Sequence, residues 1–296
     1  MEIGSTLRIC PESEIPEGWA IIKTLQQAGG CGKAGQLIVM RTIEKLSDYR
    51  EEHKRKGKGK MMDTGRNVLI TGGNKGIGLA ATEKFIDAGH TVYVLARDFA
   101  EFPLRDHSQV EMVEYDLSNI DGIPGLVGQL PAMDILLNNA GVMYALPYQE
   151  YPQEKIDQIL KINIQAPVAL ITELAKTMIT KGCGRIVNNA SIAGEIGHPD
   201  IWYGMTKAGL INMTKSFAKI LGPQGIVVNA VAAGPVETDM LAVIPEPRKK
   251  AIKEAVYTGR FAYAEEVAEA MFWLATDCPE YINGTCIDIN NGAFPR

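Results

Sequence analysis

Glycines are concentrated in residues 72–78, which read Gly-Gly-Asn-Lys-Gly-Ile-Gly and follow an apolar run at 68–70. The run is typical of a buried strand, and a helical pattern begins at Ile77. A strand, a glycine turn and a helix in this order can form a diphosphate site, because glycines let the backbone approach the phosphates and the helix N-terminus offers free N–H groups. The spacing Gly72-x-x-x-Gly76-x-Gly78 differs from the familiar G-x-G-x-x-G, and many glycine turns bind nothing. The turn alone therefore leaves its function open.

Four polar residues further along the chain have acid–base or hydrogen-bonding capacity. Tyr203 and Lys207 are four residues apart in a predicted helix, which places both side chains on one face, a turn apart. Ser191 follows a predicted strand, and Asn163 lies in another predicted helix. A tyrosine–lysine pair in isolation is more often an ordinary surface pair, so its meaning depends on the other two residues.

Strand and helix patterns alternate from residue 66 onward, which is typical of a parallel sheet covered by helices on both faces. Right-handed crossovers then give a doubly wound α/β domain with a seven-stranded parallel sheet and a ligand crevice at the carboxyl ends of the strands. The predicted strands span 68–70, 91–96, 110–115, 135–138, 185–189, 226–232 and 286–289. The predicted helices span 77–88, 120–130, 153–180, 203–221 and 264–275.

Five motifs follow one another in this domain. They are Thr71-Gly-x-x-x-Gly-Ile-Gly78, Asn138-Asn-Ala-Gly141, Asn163, Ser191 and Tyr203-x-x-x-Lys207. In this order they resemble the short-chain dehydrogenase/reductase family, and within it the 3-oxoacyl reductase branch, over residues 66–296. Segments 228–231, 234–240 and 282–284 add to the resemblance. It implies a single Rossmann-fold domain behind a small N-terminal extension. Ala233 replaces a common proline and Ala190 a common serine, and neither change removes a catalytic group.

The resemblance also implies a mechanism. Tyr203 protonates the carbonyl oxygen, or acts as the base in reverse, and Ser191 hydrogen-bonds the same oxygen. Lys207 holds the nicotinamide ribose and lowers the pKa of Tyr203, and Asn163 anchors a water that links Lys207 to solvent. Hydride moves between the nicotinamide and the carbonyl carbon. Lowering a tyrosine pKa from about 10 to about 7 requires roughly 4 kcal/mol, which one cation about 4 Å away supplies at an effective dielectric of about 20.

The expected cofactor is NADP, with NAD as the less favoured alternative. Arg97 follows the second predicted strand, where an arginine suits the 2′-phosphate of NADP, and Lys75 could reach the same phosphate. Asp98 could instead bind a ribose hydroxyl or neutralise Arg97, and Asp116 could contact adenine or cap a helix. The expected cofactor contacts are Gly72, Asn74, Lys75, Gly76, Ile77, Gly78, Arg97, Asp116, Leu117, Asn138, Ala140, Gly141, Tyr203, Lys207, Pro235, Val236 and Thr238.

The substrate is expected to be a small carbonyl compound or alcohol. Segments 142–147, 195–202 and 236–247 should line a mostly apolar pocket with aromatic walls. The resemblance to the family, whose substrate loop is mobile, implies that 236–247 forms a lid. Candidate substrate contacts are Met143, His198, Trp202 and Met240, although a loop histidine is more often only solvated. The basic run 248–250 could meet an acidic group, but a solvated helix start is the commoner case. The sequence does not select among a steroid, an acyl thioester, a sugar and a small ketone.

Composition excludes several other classes. The 296-residue chain is 46% hydrophobic with a net charge of −5, which argues against nucleic-acid binding. No apolar run approaches the roughly 18–20 residues of a membrane span, and the early Glu2 argues against a secretory signal. Five scattered cysteines indicate reduced thiols and a cytoplasmic protein. No metal site is expected, because Cys10, Cys31 and His53 lack C-x-x-C spacing.

Residues 1–65 differ from the rest of the chain. We interpret 1–50 as a small appended module of unknown role, with a short strand at 19–22 and a short helix at 42–50. Residues 51–65 form a basic linker by composition. Contact of this linker with anionic lipid or nucleic acid is a less favoured interpretation.

Two alternatives to an NADP-dependent reductase remain at this stage. One is an NAD-dependent hydroxysteroid or diol dehydrogenase, which would use the same residues. The other is a nucleotide-binding scaffold that acts through the N-terminal module. By analogy with the family, the helices at 153–180 and 203–221 are expected to form a homodimer or homotetramer.

Overall fold

The computed structural model describes residues 6–9, 19–28, 37–45, 65–242 and 244–295. The chain divides into two compact units, Met1–Asp63 and Thr64–Arg296. The proposed boundary between a module and a basic linker near residue 50 lies outside the described residues and stays a prediction.

The first unit contains a three-stranded antiparallel sheet. Its strands are β1 (Thr6–Ile9), β2 (Trp19–Ala28) and β3 (Leu37–Lys45), and β3 lies in the middle. The strand predicted at 19–22 is therefore present and longer than expected. The helix predicted at 42–50 is wrong over 42–45, because those residues continue β3 and pair with both neighbouring strands. Residues 46–50 lie outside the described part.

The second unit is built on a seven-stranded parallel sheet. The strands are β4 (Asn67–Thr71), β5 (Thr91–Ala96), β6 (Val110–Glu114), β7 (Ile135–Asn138), β8 (Gly184–Asn189), β9 (Ile226–Ala233) and β10 (Cys286–Ile289). Their order is β10-β9-β8-β7-β4-β5-β6, which confirms the predicted doubly wound fold. The chain crosses from one half of the sheet to the other between β6 and β7. The crevice therefore lies at the carboxyl ends of β4 and β7.

Helices connect the strands on both faces of this sheet. The α-helices are α1 (Gly76–Asp87), α2 (Ile123–Val127), α3 (Gln153–Leu160), α4 (Ala166–Lys181), α5 (Ile201–Leu221), α6 (Asp239–Ala242), α7 (Glu246–Ala255) and α8 (Ala264–Ala275). Short 3-10 turns span Ile120–Gly122, Tyr148–Glu150, Ile192–Gly194 and Gly222–Gln224. A π-helical turn at Lys161–Gln165 interrupts the helix predicted over 153–180. The predicted lid contains α6, which the sequence patterns did not indicate, and the start of α7, which agrees with the helix start expected at 248–250.

The core explains why the strands read as continuous apolar runs. Successive side chains of a strand point to opposite faces, and both faces of this sheet are buried. Val68 and Ile70 pack with Phe85 of α1, whereas Leu69 packs on the other face with Leu170 of α4. All of these side chains are fully buried, and each such burial stabilises the fold by roughly 1.5–3 kcal/mol. The layers hold the carboxyl edge of the sheet in place.

Candidate active site

Buried asparagines connect the carboxyl ends of β7 and β8. The side-chain amide of Asn138 donates to Asn188 at 2.8 Å, and the Asn188 amide donates to the hydroxyl of Thr214 on α5 at 2.9 Å. All three side chains are buried. Because a buried amide without its partners is costly, this chain of bonds fixes α5 against the strand ends.

A second set of bonds connects the strand ends to the glycine turn. The Thr71 hydroxyl accepts from the backbone N–H groups of Asn139 and Ala140 at 3.0 and 2.9 Å. The Asn139 side chain donates to the Thr71 carbonyl at 3.1 Å and accepts from Asn189 at 2.9 Å. The turn that could bind phosphate is thereby held against β7 and β8.

The glycine turn has the form that a diphosphate requires. Gly72 has φ +64°, a left-handed conformation that favours glycine. A Cβ at Gly78 would clash with the Gly72 carbonyl oxygen, so only glycine fits there. Helix α1 begins directly after Lys75, no described side chain caps it, and its first turn contains no acid. Its first N–H groups therefore lack side-chain acceptors, and the turn fits a dinucleotide.

The charged residues near the glycine turn and the end of β5 are largely exposed. Arg97 is exposed and forms no ion pair with a described residue, while Lys75 pairs with Asp239 of α6 at 3.0 Å. The Asp98 carboxylate accepts from the Ala100 N–H at 2.8 Å and so caps its own turn. It does not form an ion pair with Arg97. Asp116 accepts from the Ser118 N–H at 2.8 Å, and this bond is the main reason that the pKa of its carboxyl is lowered. Asp116 therefore caps a turn and not a helix, because the N-cap of the following 3-10 turn is Asn119.

Tyr203 lies in the first turn of α5 and is buried. Its hydroxyl hydrogen-bonds Ser191, and the Ser191 oxygen also accepts from the Ala193 N–H at 3.1 Å. The pKa of Tyr203 is raised to about 12, mainly by burial and in smaller part by the Asp200 carboxylate, while the bond to Ser191 opposes the rise. Tyr203 therefore keeps its proton at neutral pH in the chain by itself.

Lys207 is also buried, and it lies one turn along the same face of α5. Its ammonium donates to the Asn189 carbonyl at 2.6 Å and lies 5.6 Å from the centre of the Tyr203 ring. Burial lowers the pKa of Lys207 to about 8. In the chain by itself, burial is the main cause that raises the pKa of Tyr203, and the expected lowering by Lys207 stays a prediction for the protein with its cofactor.

Asn163 occupies the centre of the π-helical turn. Its amide donates to the Val142 carbonyl and to the Thr206 hydroxyl, both at 3.0 Å, and its oxygen accepts from the Val142 N–H at 2.9 Å. A Cβ at Gly141 would lie 3.5 Å from the Asn163 oxygen and 3.6 Å from the Lys207 ammonium nitrogen. Asn163 thus clamps the loop after β7, and the glycine leaves space between its amide and Lys207. Such π turns frequently occur at functional sites.

Asp200 is a site residue that the sequence patterns did not single out. Its carboxylate is 2% exposed and caps α5 by accepting from the Tyr203 N–H at 3.0 Å. It also accepts from the N–H groups of Tyr144 and Ala145 at 3.3 and 3.0 Å, and from the Tyr151 hydroxyl at 3.1 Å. An aspartate directly before a helical run is a capping signal. Its contacts with the loop at 144–151 could not be read from that signal.

The side chains expected to meet substrate surround Tyr203. Met143, Tyr144 and Trp202 pack against the cluster that contains Tyr203, so apolar and aromatic side chains are close to it, and their contact with substrate stays a prediction. The His198 ring lies 5.4 Å from the Tyr203 ring, is half-buried, and has a pKa lowered mainly by burial. His198 is therefore not simply solvated. The side chain of Met240 lies outside the described part of the structure.

Comparison with known proteins identifies the family. A family model described as Enoyl-(Acyl carrier protein) reductase matches residues 72–293. The chain is 35% identical over 243 residues to the 3-oxoacyl-(acyl-carrier-protein) reductase FabG of Aquifex aeolicus (strain VF5), a match that covers 78% of this chain and 98% of that one. The chain belongs to the short-chain dehydrogenase/reductase family. It is thus an oxidoreductase, and it resembles the FabG ketoreductases.

Two further proteins show the range of this similarity. A 3alpha-hydroxysteroid dehydrogenase of Mediterraneibacter gnavus (strain ATCC 29149) is 31% identical over 255 residues, with 79% of this chain and 98% of that one covered. The structure of a putative NAD(P) dependent gluconate 5-dehydrogenase from Beutenbergia cavernae, with bound NADP at low occupancy, has a TM-score of 0.74 and 27% identity. That match covers 78% of this chain and 97% of the other. These proteins thus share the fold, but the substrates given in their names differ.

This oxidoreductase brings most of its predicted site residues to one edge of the sheet. Asn163, Ser191, Tyr203 and Lys207 meet there. Thr238 lies against the glycine turn, since its methyl carbon is 3.3 Å from where a Cβ at Gly76 would stand. Three predicted cofactor contacts, Ile77, Leu117 and Ala140, pack against the core and can offer mainly backbone to a ligand.

A membrane-spanning helix and a metal-binding cluster are both absent from the part of the chain that the structure describes. Within it, no helix combines the length and apolar character needed to span a bilayer. Within it, no group of three or more His, Cys, Asp or Glu side chains could hold a metal ion.

Proposed function

We propose that this protein is an NADP(H)-dependent reductase of ketones, or a dehydrogenase of the corresponding secondary alcohols, with Tyr203 as the acid or base. One observation carries the proposal: a buried tyrosine is hydrogen-bonded to Ser191 and lies next to the buried Lys207, whose ammonium donates to the Asn189 carbonyl at the end of β8. General acid catalysis requires a proton donor placed in this way.

In the proposed mechanism the Tyr203 and Ser191 hydroxyls hold the carbonyl oxygen of the substrate. A bound nicotinamide supplies the hydride that adds to the carbonyl carbon. As the negative charge moves to the oxygen, Tyr203 delivers its phenolic proton, and the alcohol forms. With a pKa raised to about 12, Tyr203 holds that proton at neutral pH, which suits the reducing direction.

Lys207 and Asn163 support this proton transfer. The proton leaves a phenolate on Tyr203, and the ammonium of Lys207 stabilises this charge at a distance of 5.6 Å from the ring centre. In a low-dielectric site this attraction is stronger than in water. Asn163 holds the loop that forms one wall of the site through its two bonds with Val142. A water anchored by Asn163 could restore the proton through Lys207.

The choice of NADP rests on the charge around the ribose site. Arg97 is exposed, forms no ion pair with a described residue, and lies after β5, where the 2′-substituent is expected. Asp98 is engaged with the Ala100 N–H, which reduces its competition for a ribose hydroxyl. The gluconate 5-dehydrogenase structure from Beutenbergia cavernae, which shares this fold, contains bound NADP. The predicted cofactor contacts remain part of this proposal.

Replacing Tyr203 tests the proposal directly. With NADPH and a panel of ketones, Tyr203→Phe should lower kcat/KM by about 10²- to 10⁴-fold, because the proton donor is lost. NADPH binding, measured by fluorescence, should stay close to that of the wild type. Tyr148→Phe is the matched control, because Tyr148 is 64% exposed and lies outside the site. A Tyr203→Phe variant that keeps more than a tenth of the activity would refute the role of Tyr203.

A hydroxysteroid is a second candidate substrate class. The relative from Mediterraneibacter gnavus supports it, as do the aromatic walls of the pocket. Reduction of an oxosteroid and of a 3-oxoacyl thioester by the same preparation would separate the two classes. A higher kcat/KM for the steroid would favour the second candidate.

We also propose a homodimer or homotetramer, as the family analogy implies. Helices α4 and α5 expose the apolar side chains Val168, Ile179, Met205 and Ile220. Such surfaces are consistent with helix packing between copies. Sedimentation of the purified protein would give the oligomeric state, and a monomer at micromolar concentration would exclude the proposal.

A further inference from the structure

Arg248 differs from the two lysines that follow it in α7. It is half-buried, whereas its neighbours have partners: Lys249 pairs with Glu246 at 2.8 Å and Lys250 with Glu254 at 4.0 Å. Among the described residues, no carboxylate lies within ion-pair distance of Arg248. Its guanidinium instead contacts the imidazole of His198, with 3.4 Å between the two nitrogens.

His198 does not supply the missing negative charge. The guanidinium can only donate, so the Nε2 atom of His198 must accept, and the proton of a neutral ring then resides on Nδ1. Nδ1 lies 3.1 Å from the Asp200 carbonyl oxygen, to which it donates in this tautomer, and 3.2 Å from the Asp200 backbone nitrogen, whose N–H it accepts from in the other tautomer. Both tautomers of the neutral ring are uncharged. Burial lowers the pKa of His198, and Arg248 lowers it further, so the ring is neutral at pH 7. The pair therefore carries one net positive charge.

The same pair lies beside the proposed proton donor. The His198 ring is 5.4 Å from the Tyr203 ring, so a single imidazole separates the guanidinium from the phenol. The carboxylate of Asp200 is close, but it already accepts from three backbone N–H groups and the Tyr151 hydroxyl. A partly desolvated cation without a counter-ion is unfavourable, and an incoming anion would relieve that cost.

We propose that Arg248 is a substrate-binding residue and that the substrate carries a carboxylate. The inference rests on the proposed function: the reaction then reduces an oxo acid to a hydroxy acid. The ketone carbon gains the hydride, its oxygen gains the Tyr203 proton, and the carboxylate is unchanged. A guanidinium has five N–H donors, and one is used on His198, which leaves enough for the two parallel bonds that a carboxylate accepts. A net charge of one matches a carboxylate better than a phosphate dianion.

Kinetics with matched substrates test this assignment. The substrates are acetoacetate, levulinate and longer unbranched oxo acids, each compared with its methyl ester. In the wild type, kcat/KM should favour the acid at one or more chain lengths. Arg248→Gln should lower kcat/KM for that acid by about 10- to 100-fold, the range for a hydrogen bond to a charged group. The change should appear mainly in KM, and the ester should change by less than about threefold.

Lys250→Gln is the matched control, because it removes the same charge from an exposed position on the same helix. It should leave both substrates within about twofold of the wild type. Equal losses for acid and ester in Arg248→Gln would overturn the proposal, since they would indicate a structural role. Equal losses for the acid in Arg248→Gln and Lys250→Gln would also overturn it, since they would indicate a long-range electrostatic effect and not a direct contact. The proposal would also be overturned if the wild-type protein had the higher kcat/KM for the ester at every chain length.

A binding measurement separates this proposal from the proposed function. Calorimetric titration of the protein–NADPH complex with hexanoate should show binding that Arg248→Gln weakens by about tenfold or more. If no ketone is reduced but this Arg248-dependent binding is present, the proposed activity fails and the carboxylate site stands. If ketones are reduced through Tyr203 but hexanoate binding does not depend on Arg248, only the carboxylate site fails.

Discussion

Asn138 at the end of β7 and Asn163 in the π-helical turn are each 2% exposed, whereas Lys75 and Asp239 beside the glycine turn expose 70% and 81% of their side chains. In the buried end, side-chain amides and hydroxyls form hydrogen bonds with specific partner atoms. The exposed end presents charges that water and salt screen. The buried end should therefore respond to small changes of shape, and the exposed end to changes of charge and ionic strength.

The largest effect on folding should come from Asp200. Asp200→Ala removes a helix cap worth about 1 kcal/mol and leaves buried donors unpaired at about 1–3 kcal/mol each. We expect the free energy of unfolding to fall by roughly 3 kcal/mol or more, measured by urea denaturation. Asp98→Ala is the control, because its carboxylate caps an exposed turn and should cost at most about 1 kcal/mol. Similar losses of unfolding free energy in the two variants would contradict the expected difference between the buried and the exposed end.

Replacing Arg97 should change cofactor choice without changing the fold. Arg97→Ala should weaken NADP binding by about tenfold and leave NAD binding within about twofold. The reason is that only NADP has the 2′-phosphate. Titrations with both nucleotides at low and high salt would measure this, and the preference of the wild type should shrink as salt rises. An equal loss for NAD and NADP would exclude the 2′-phosphate assignment.

The pH dependence of reduction tests the buried pair. The pKa of Lys207 is lowered to about 8, so the ammonium is present below that pH and lost above it, while Tyr203 stays protonated to about pH 12. With saturating NADPH, kcat/KM should fall roughly fourfold between pH 7 and pH 8.5. Lys207→Arg keeps its charge, so its residual activity should lack this decline. The assignment would be wrong if both proteins declined alike.

The smallest effect should come from the pair between Lys75 and Asp239. Exposed ion pairs contribute about 0–1 kcal/mol. Asp239→Ala should therefore lower the free energy of unfolding by less than about 1 kcal/mol, and added salt should abolish the difference. Thermal unfolding at two salt concentrations would measure it. A loss comparable to that of Asp200→Ala would mean that the exposed end is also structurally essential.

The elements of the molecule differ in how well they could be predicted from the sequence. Spacing of four in a helix placed Tyr203 beside Lys207, and apolar runs located all seven strands of the large sheet. The contacts of Asn163 in the π-helical turn could not be predicted, because its partners Val142 and Thr206 lie in distant parts of the chain. The short helix predicted at 42–50 failed over 42–45 for a related reason: strand pairing overrides a weak local pattern.

The amino-acid sequence by itself determined the family, the doubly wound sheet and the identity of the groups that can transfer a proton. These follow from local periodicity and from motifs a few residues long. Only the tertiary structure decided how acidic those groups are, that Asp200 joins the helix of Tyr203 to the loop at 144–151, and that Arg248 lies near Tyr203 without a carboxylate partner among the described residues. Desolvation and long-range hydrogen bonds depend on which distant segments pack together, and that packing has no local signature in the chain.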